Sequence, residues 1–228
     1  MTALVTIARE NDYTLITMDD GKANALGFEM LAQLEAALDE AEEAGKVVVI
    51  AGRVGKFSAG FDLNVMGQGG DGMLQLLRAG AAMSQRLLNF PTPVVLAVSG
   101  HALAMGALML LSADYRVGMH GTYKIGLNEV AIGMTLPYFG IELARARLAK
   151  THVGAAVTLA KVYDAEGAME AGYLDEAVSE EDLLPRVKAI AEQFSALNME
   201  AHRQTKARTR EQLNAALTDA IEKELGAA

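Results

Sequence analysis

The run Gly126-Leu127-Asn128-Glu129-Val130-Ala131-Ile132-Gly133 sets one carboxylate, Glu129, among apolar neighbours. Such a group is either a structural charge satisfied by a nearby Arg or backbone donor, or a proton-transfer group whose pKa is raised by desolvation. Few other side chains compete with it. His101, His120, His152 and His202 share no metal-ligand spacing and read as structural, with His101 the one best placed to line a cleft. Ser58 has no base in its sequence context to make it a nucleophile, and Asp62 and Asp114 read as residues that fix loops. The absence of cysteine removes disulfides, thiolate nucleophiles and Cys-based zinc sites, and fits a cytoplasmic protein.

The elements that must position Glu129 follow from composition and periodicity. With 228 residues, 51% of them apolar, the chain can bury a large core, and its length allows one domain or one domain with an appendage. No segment has the roughly 18 uninterrupted apolar residues of a membrane span, and the start lacks the pattern of a signal peptide. A net charge of −9 argues against nucleic-acid binding, which leaves a small molecule as the expected partner.

Residues 4–8 and 13–18 read as two short strands around a turn, and 27–44 as an amphipathic helix stopped by Gly45. Residues 47–51 and 94–98 are apolar runs without polar alternation, as expected of parallel strands covered on both faces. Between them lie a Gly-rich stretch at 67–72 and a helix at 73–89. Beyond them, Ser99-Gly100-His101 reads as a turn, 104–113 as a small-residue helix and 115–119 as a strand. Helices are expected at 135–150, 153–161 and 164–171, the last capped by Asp164, then a last strand at 173–178 and charged helices at 181–195 and 199–225. The fold class is α/β with repeated strand–helix units.

Four stretches in order carry a resemblance: Asn24-Ala25-Leu26, FSAGFDL at 57–63, PTPVVLAVSGHALAMGALMLLSADYRV at 91–117 and GLNEVAIGM at 126–134. Their order and separations resemble the crotonase superfamily, the enoyl-CoA hydratase and isomerase family, over nearly the whole chain. The resemblance implies a spiral of ββα units (1–195) followed by a helical oligomerisation region (196–228), assembled as a homotrimer or a dimer of trimers. It implies an acyl-CoA thioester as substrate with no further cofactor; the histidine spacing gives no metal site, the acidity disfavours the RNA binding found in one branch of the family, and the hydropathy gives no membrane partner.

It also implies an oxyanion hole made of the backbone N–H groups of Phe61 and Met105, suited to the charge that develops on a thioester oxygen. Ala59, Gly60, Asp62, Leu63, Gly106, Leu108 and Leu136 would line the substrate site. Position 105 is usually glycine in the family, and the methionine here could narrow the acyl channel or tilt the donor. Hydratases of the family typically carry two glutamates; Leu108 stands at the first position and Glu129 at the second. GLNE, with Ser112-Ala113-Asp114-Tyr115-Arg116, resembles the mitochondrial-type Δ3,Δ2-enoyl-CoA isomerase branch, in which a single glutamate shuttles a proton. A hydratase, another crotonase-type reaction and a non-catalytic acyl-CoA-binding or scaffold protein stand as alternatives. Met66, Met73 and Met134 are expected to shape an acyl pocket with Leu136, Tyr138 and Phe139. The basic run at 202–210 reads as the solvated face of a helix, or, by the resemblance, as a contact for the 3′-phosphate of coenzyme A.

Overall fold

A computed structural model describes residues 3–226. The chain opens with β1 (Val5–Arg9) and β2 (Tyr13–Met18), paired antiparallel, then β3 (Ala25–Leu26) and α1 (Phe28–Ala44), which ends at Gly45 in the left-handed conformation. The next turn comprises β4 (Val47–Ala51), β5 (Gly55–Ser58), β6 (Gly60–Phe61), α2 (Leu63–Gln68) and α3 (Gly70–Asn89). A third comprises β7 (Val94–Val98), β8 (Gly100–Leu103) and α4 (Met105–Ser112). After β9 (Tyr115–Met119) and β10 (Ile125–Gly126) come a 3₁₀ turn at Val130–Ile132, α5 (Tyr138–Arg147), α6 (Lys150–Thr158) and α7 (Ala165–Ala171). The chain ends with β11 (Glu176–Val178), α8 (Leu183–Ser195), α9 (Met199–Thr209) and α10 (Glu211–Leu225).

Six strands form one sheet in the order β1-β2-β4-β7-β9-β11, parallel throughout except for the first pair. The shorter strands β10-β8-β5 and β3-β6 make two smaller parallel sheets, so each turn of the chain adds a strand to the large sheet and then one to a small sheet. This is the spiral of ββα units. Its central strands are covered on both faces, which is why their sequences lack alternation. Val48, Ile50, Val94, Leu96 and Val98 face a core shared with α1, α3, α4 and α5, whereas Val47, Val49, Val95 and Ala97 face Leu183, Val187 and Ile190 of α8. Leu217, Ala220 and Leu225 of α10 pack into the first core, where α10 lies against α5 and α3.

Several elements differ from their sequence expectation. Residues 99–101 are not a turn: β8 starts at Gly100, because parallel pairing with β5 and β10 recruits it, and no local signal reports such distant partners. The Gly-rich stretch is largely helical, with Gly69 alone separating α2 from α3, since burial of Leu76, Leu77, Met83 and Leu87 outweighs the poor propensity of its first turn. The helix expected at 135–150 is shorter, and its successor starts early at Lys150. The segment 199–225 breaks at Arg210 into two helices.

Asn24 ties the layers together beneath the site. It is fully buried at φ 51°, and its amide donates to the carbonyls of Met18 (2.9 Å), Lys56 (3.2 Å) and Phe57 (3.2 Å). Its own carbonyl accepts from Ser58 Oγ at 2.8 Å. Asn24→Ala strands these buried carbonyls and loses a residue that tolerates left-handed backbone, so we expect a stability loss of about 3 kcal/mol, read from denaturant midpoints.

Candidate active site

Two backbone segments meet at the N-terminal end of α4. Gly60 has φ 94°, and a Cβ built there would lie 2.7 Å from Ala104 Cβ, 2.9 Å from the Leu103 carbonyl oxygen and 3.3 Å from the Met105 nitrogen. A Cβ on Gly106 would lie 2.7 Å from the Ser58 carbonyl oxygen. Only glycines permit this interlock. It holds the 58–61 strand end against the first turn of α4, where Met105, as the first helical residue, has no carbonyl within its own helix to bond. Ala104, at φ 50° and ψ −123°, takes the unfavourable backbone conformation that turns the chain into the helix.

The Met105 side chain does not narrow the channel. It is wholly buried, and its sulfur lies beside Gly80 of α3, where a Cβ would come within 3.2 Å of it. The Phe61 ring packs against the same glycine. α4 itself is buried at every position, so the donor end is held by packing on all sides.

In front of this junction lies a cavity of about 400 Å³. Ala59, Phe61, Leu63, Ala104 and Leu108 line it from these two segments, and Glu129 from the segment after β10. Met66, Met73 and Met134 are in the wall as expected. Leu136, Tyr138 and Phe139 are not among the lining residues: Leu136 and Phe139 are buried behind it, Leu136 against Gly140, and Tyr138 faces outward. Asp62 likewise caps α2, accepting from the Asn64 N–H at 2.9 Å. Gly60 and Gly106 act through the backbone approach described above. The sequence reading missed Asn128, Leu77, Ile132, Pro137 and Glu224, all of which line the cavity. Glu224 arrives from α10, and its carboxylate accepts from the Tyr138 N–H at 2.8 Å; nothing in its local sequence separates it from the other acidic residues of that helix.

Glu129 is 7% exposed, and its Oε2 has no hydrogen-bond partner. Burial pushes its pKa up to about 7. The cause is only partly the local one expected from the sequence. Val130, Ala131 and Ile132 are exposed, because the chain makes a 3₁₀ turn closed by Gly133 and by the Met134 N–H on the Glu129 carbonyl. Of the four apolar neighbours only Leu127 is buried; Ile132 lines the cavity half exposed, and residues distant in sequence, including Leu108, complete the wall around the carboxylate. Tyr173 is fully buried, and the Glu129 charge contributes to raising the pKa of its hydroxyl, after burial and Tyr163.

The remaining candidates have structural partners. His101 Nδ1 accepts from the Lys124 N–H at 2.9 Å and packs edge-on against Tyr123, outside the cavity lining. Asp114 accepts from the Val94 N–H and pairs with Lys206 (2.6 Å) and Arg210 (2.8 Å). Those two members of the basic run therefore face inward and are buried, which corrects the solvated-face reading for them; Arg203 and Arg208 stay exposed. Among the described residues no cluster of His, Asp or Glu is arranged to hold a metal ion, and no helix is long and apolar enough to cross a membrane.

Comparison with known proteins adds the following. Residues 8–227 match the family described as enoyl-CoA hydratase/isomerase. A solved enoyl-CoA hydratase/isomerase family protein from Pseudomonas syringae is 42% identical and superposes with a TM-score of 0.96 over 97% of this chain and 96% of that one. An enoyl-CoA hydratase from Mycobacterium ulcerans is also 42% identical, with a TM-score of 0.93 over 96% and 97% of the two chains. An enoyl-CoA isomerase from Mycobacterium tuberculosis is 40% identical, with a TM-score of 0.94 over 97% of each.

Proposed function

Starting from the fact that the chain belongs to the enoyl-CoA hydratase/isomerase family, we propose that it is a Δ3,Δ2-enoyl-CoA isomerase working with one carboxylate. The observation that carries this reading is the lining of one cavity, which holds the buried Glu129 carboxylate and has a leucine, not a glutamate, at position 108.

One base is sufficient for this reaction. The Glu129 carboxylate removes a proton from C2 of a 3-enoyl thioester, and the electron pair delocalises into a dienolate whose charge rests on the thioester oxygen. The Phe61 and Met105 N–H groups stabilise that oxygen. The protonated Glu129 then returns the proton to C4, leaving a double bond between C2 and C3 and regenerating the carboxylate. A pKa near 7 suits both halves, because the group is neither too weak a base nor too weak an acid.

This mechanism sets the pH dependence. The free enzyme must present a carboxylate, so kcat/KM for a 3-enoyl-CoA rises with pH and levels off above an apparent pKa of about 7. A profile already flat at pH 5 would show that Glu129 is not the titrating base.

A hydratase is the second reading, favoured by Glu224, a second carboxylate in the same cavity. It predicts loss of conjugated absorbance when a 2-trans-enoyl-CoA is added, and sensitivity of that loss to Glu224→Gln. For the isomerase, that absorbance instead accumulates from 3-cis and 3-trans substrates, and Glu224→Gln alters turnover by less than about tenfold, since no proton passes through it.

A further inference from the structure

The far end of α4 carries a second site. Beyond Ser112 the cations Arg147, Lys206 and Arg210 converge on Asp114, and a cavity of about 480 Å³ opens between them, lined also by His202 and Thr205. An eight-residue helix is about 12 Å long, so this cavity and the one holding Glu129 lie at opposite ends of the same buried element.

Charge in this second cavity is out of balance. Three cations face one carboxylate, in a protein whose net charge is −9. The neighbouring Arg116 and Asp175 pair with each other at 2.7 Å, a neutral unit that leaves the excess of positive charge unchanged. Asp114 is fully used: it accepts from Lys206, Arg210 and the Val94 N–H. Arg147 donates to the Ala113 carbonyl at 3.0 Å, but its Nε is buried without a partner, and so is Nε2 of His202. Lys206 shows the imbalance: burial pulls its pKa down to about 8 even beside Asp114. Arg147 is lowered to about 10 by burial and by repulsion from Arg116 and Arg210. Buried cations and unpaired N–H groups are costly unless an anion meets them.

We propose that this cavity binds a doubly charged oxyanion, a free phosphate or a phosphomonoester, between Arg147, Lys206 and Arg210, with Thr205 and His202 as further hydrogen-bond partners. Two negative charges match the excess of two positive ones, and tetrahedral oxygens accept readily from guanidinium and ammonium groups. Bound there, the anion ties α9 to the end of the helix whose first turn supplies the Met105 N–H.

The test uses the full-length chain. Thermal unfolding in sodium phosphate and in sodium chloride at matched ionic strength is expected to show a phosphate-specific rise of roughly 5 °C near saturation, with one site per chain by calorimetric titration. Adenosine 5′-monophosphate distinguishes the sources: a response equal to that of phosphate indicates a phosphomonoester site, and a response to phosphate alone a site for the free ion. Thr205→Glu places a carboxylate on an exposed helix position at the cavity, so the variant is expected to fold, to unfold at a higher temperature in chloride, and to bind phosphate at least about tenfold more weakly. Identical unfolding in the two salts, or undiminished phosphate binding by the variant, overturns the proposal. So does a wild-type oligomer that ignores phosphate and that Thr205→Glu dissociates, since a neighbouring copy would then fill the cavity.

Discussion

Glu129→Gln is expected to lower isomerase turnover by about 10³-fold or more while leaving thioester binding within a few-fold of wild type. The amide keeps the shape of the side chain but can neither take the C2 proton nor return one, and proton transfer by a positioned group typically contributes 10²- to 10⁴-fold. Leu108 supplies no carboxylate to take over the role, and Glu224, the other carboxylate of the cavity, accepts from the Tyr138 N–H. Single-turnover measurements with 3-enoyl-CoA, alongside binding of a saturated acyl-CoA, separate the two effects. Full activity in the variant would remove Glu129 from the mechanism. The same substitution is expected to stabilise the fold at neutral and higher pH. A glutamate whose pKa rises from 4.5 in the unfolded chain to about 7 in the folded one holds its proton more tightly when folded. Stability therefore falls as pH rises through that window, by about 3 kcal/mol in all, and falls no further above it. The Gln variant lacks this slope, so above pH 7 it should unfold at higher denaturant than wild type, and below pH 4.5 at nearly the same concentration. Opposite changes in activity and stability are the signature of a buried group kept for its chemistry.

Gly60→Ala is expected to lower kcat by about 10²- to 10³-fold, comparable with removal of one oxyanion donor. The added methyl would sit 2.7 Å from Ala104 Cβ and 3.3 Å from the Met105 nitrogen, on a residue whose φ of 94° already disfavours a side chain. Either the two segments part or the α4 terminus tilts, and a displacement approaching 1 Å at donors that must meet one oxygen is enough for such a loss. A stability loss accompanies it, so the discriminating measurement is a rescue. Ala104→Gly removes the nearest clashing atom and frees a backbone now at φ 50°. The double variant should recover part of the lost kcat, whereas Ala104→Gly alone should change it little. Additive losses in the pair would show that Gly60 matters for folding alone.

Much of this was legible in the sequence, for a physical reason. The strands at 47–51 and 94–98 lack alternation because both of their faces are covered, and a pattern of burial is written in the residues that are buried. The left-handed end of α1 is written in Gly45, and the cap of α7 in Asp164, which accepts from the Gly167 N–H. Elements set by partners remote in sequence were not legible. Gly100 looks like a turn residue and is in a strand, because Gly55 of β5 pairs with it. Lys206 and Arg210 look like surface charges on a basic helix and are buried, because Asp114, about ninety residues earlier, lies beneath them.

Glu129 divides along the same line. The sequence by itself determined that a lone carboxylate follows a Gly-Leu-Asn run, and its resemblance to the family implied that Leu108 stands where a second glutamate would be and that two glycine-bearing segments could offer backbone donors. Those are matters of residue identity and order. The tertiary structure decided that the carboxylate is desolvated, and by what: its neighbours Val130 and Ala131 are exposed and Ile132 only half-covers the cavity wall, while residues of α2, α3, α4 and α10 complete the enclosure. It also decided that Met105 turns its side chain toward Gly80 and leaves the channel open. A pKa depends on everything within several ångströms in all directions, and only packing brings those groups together.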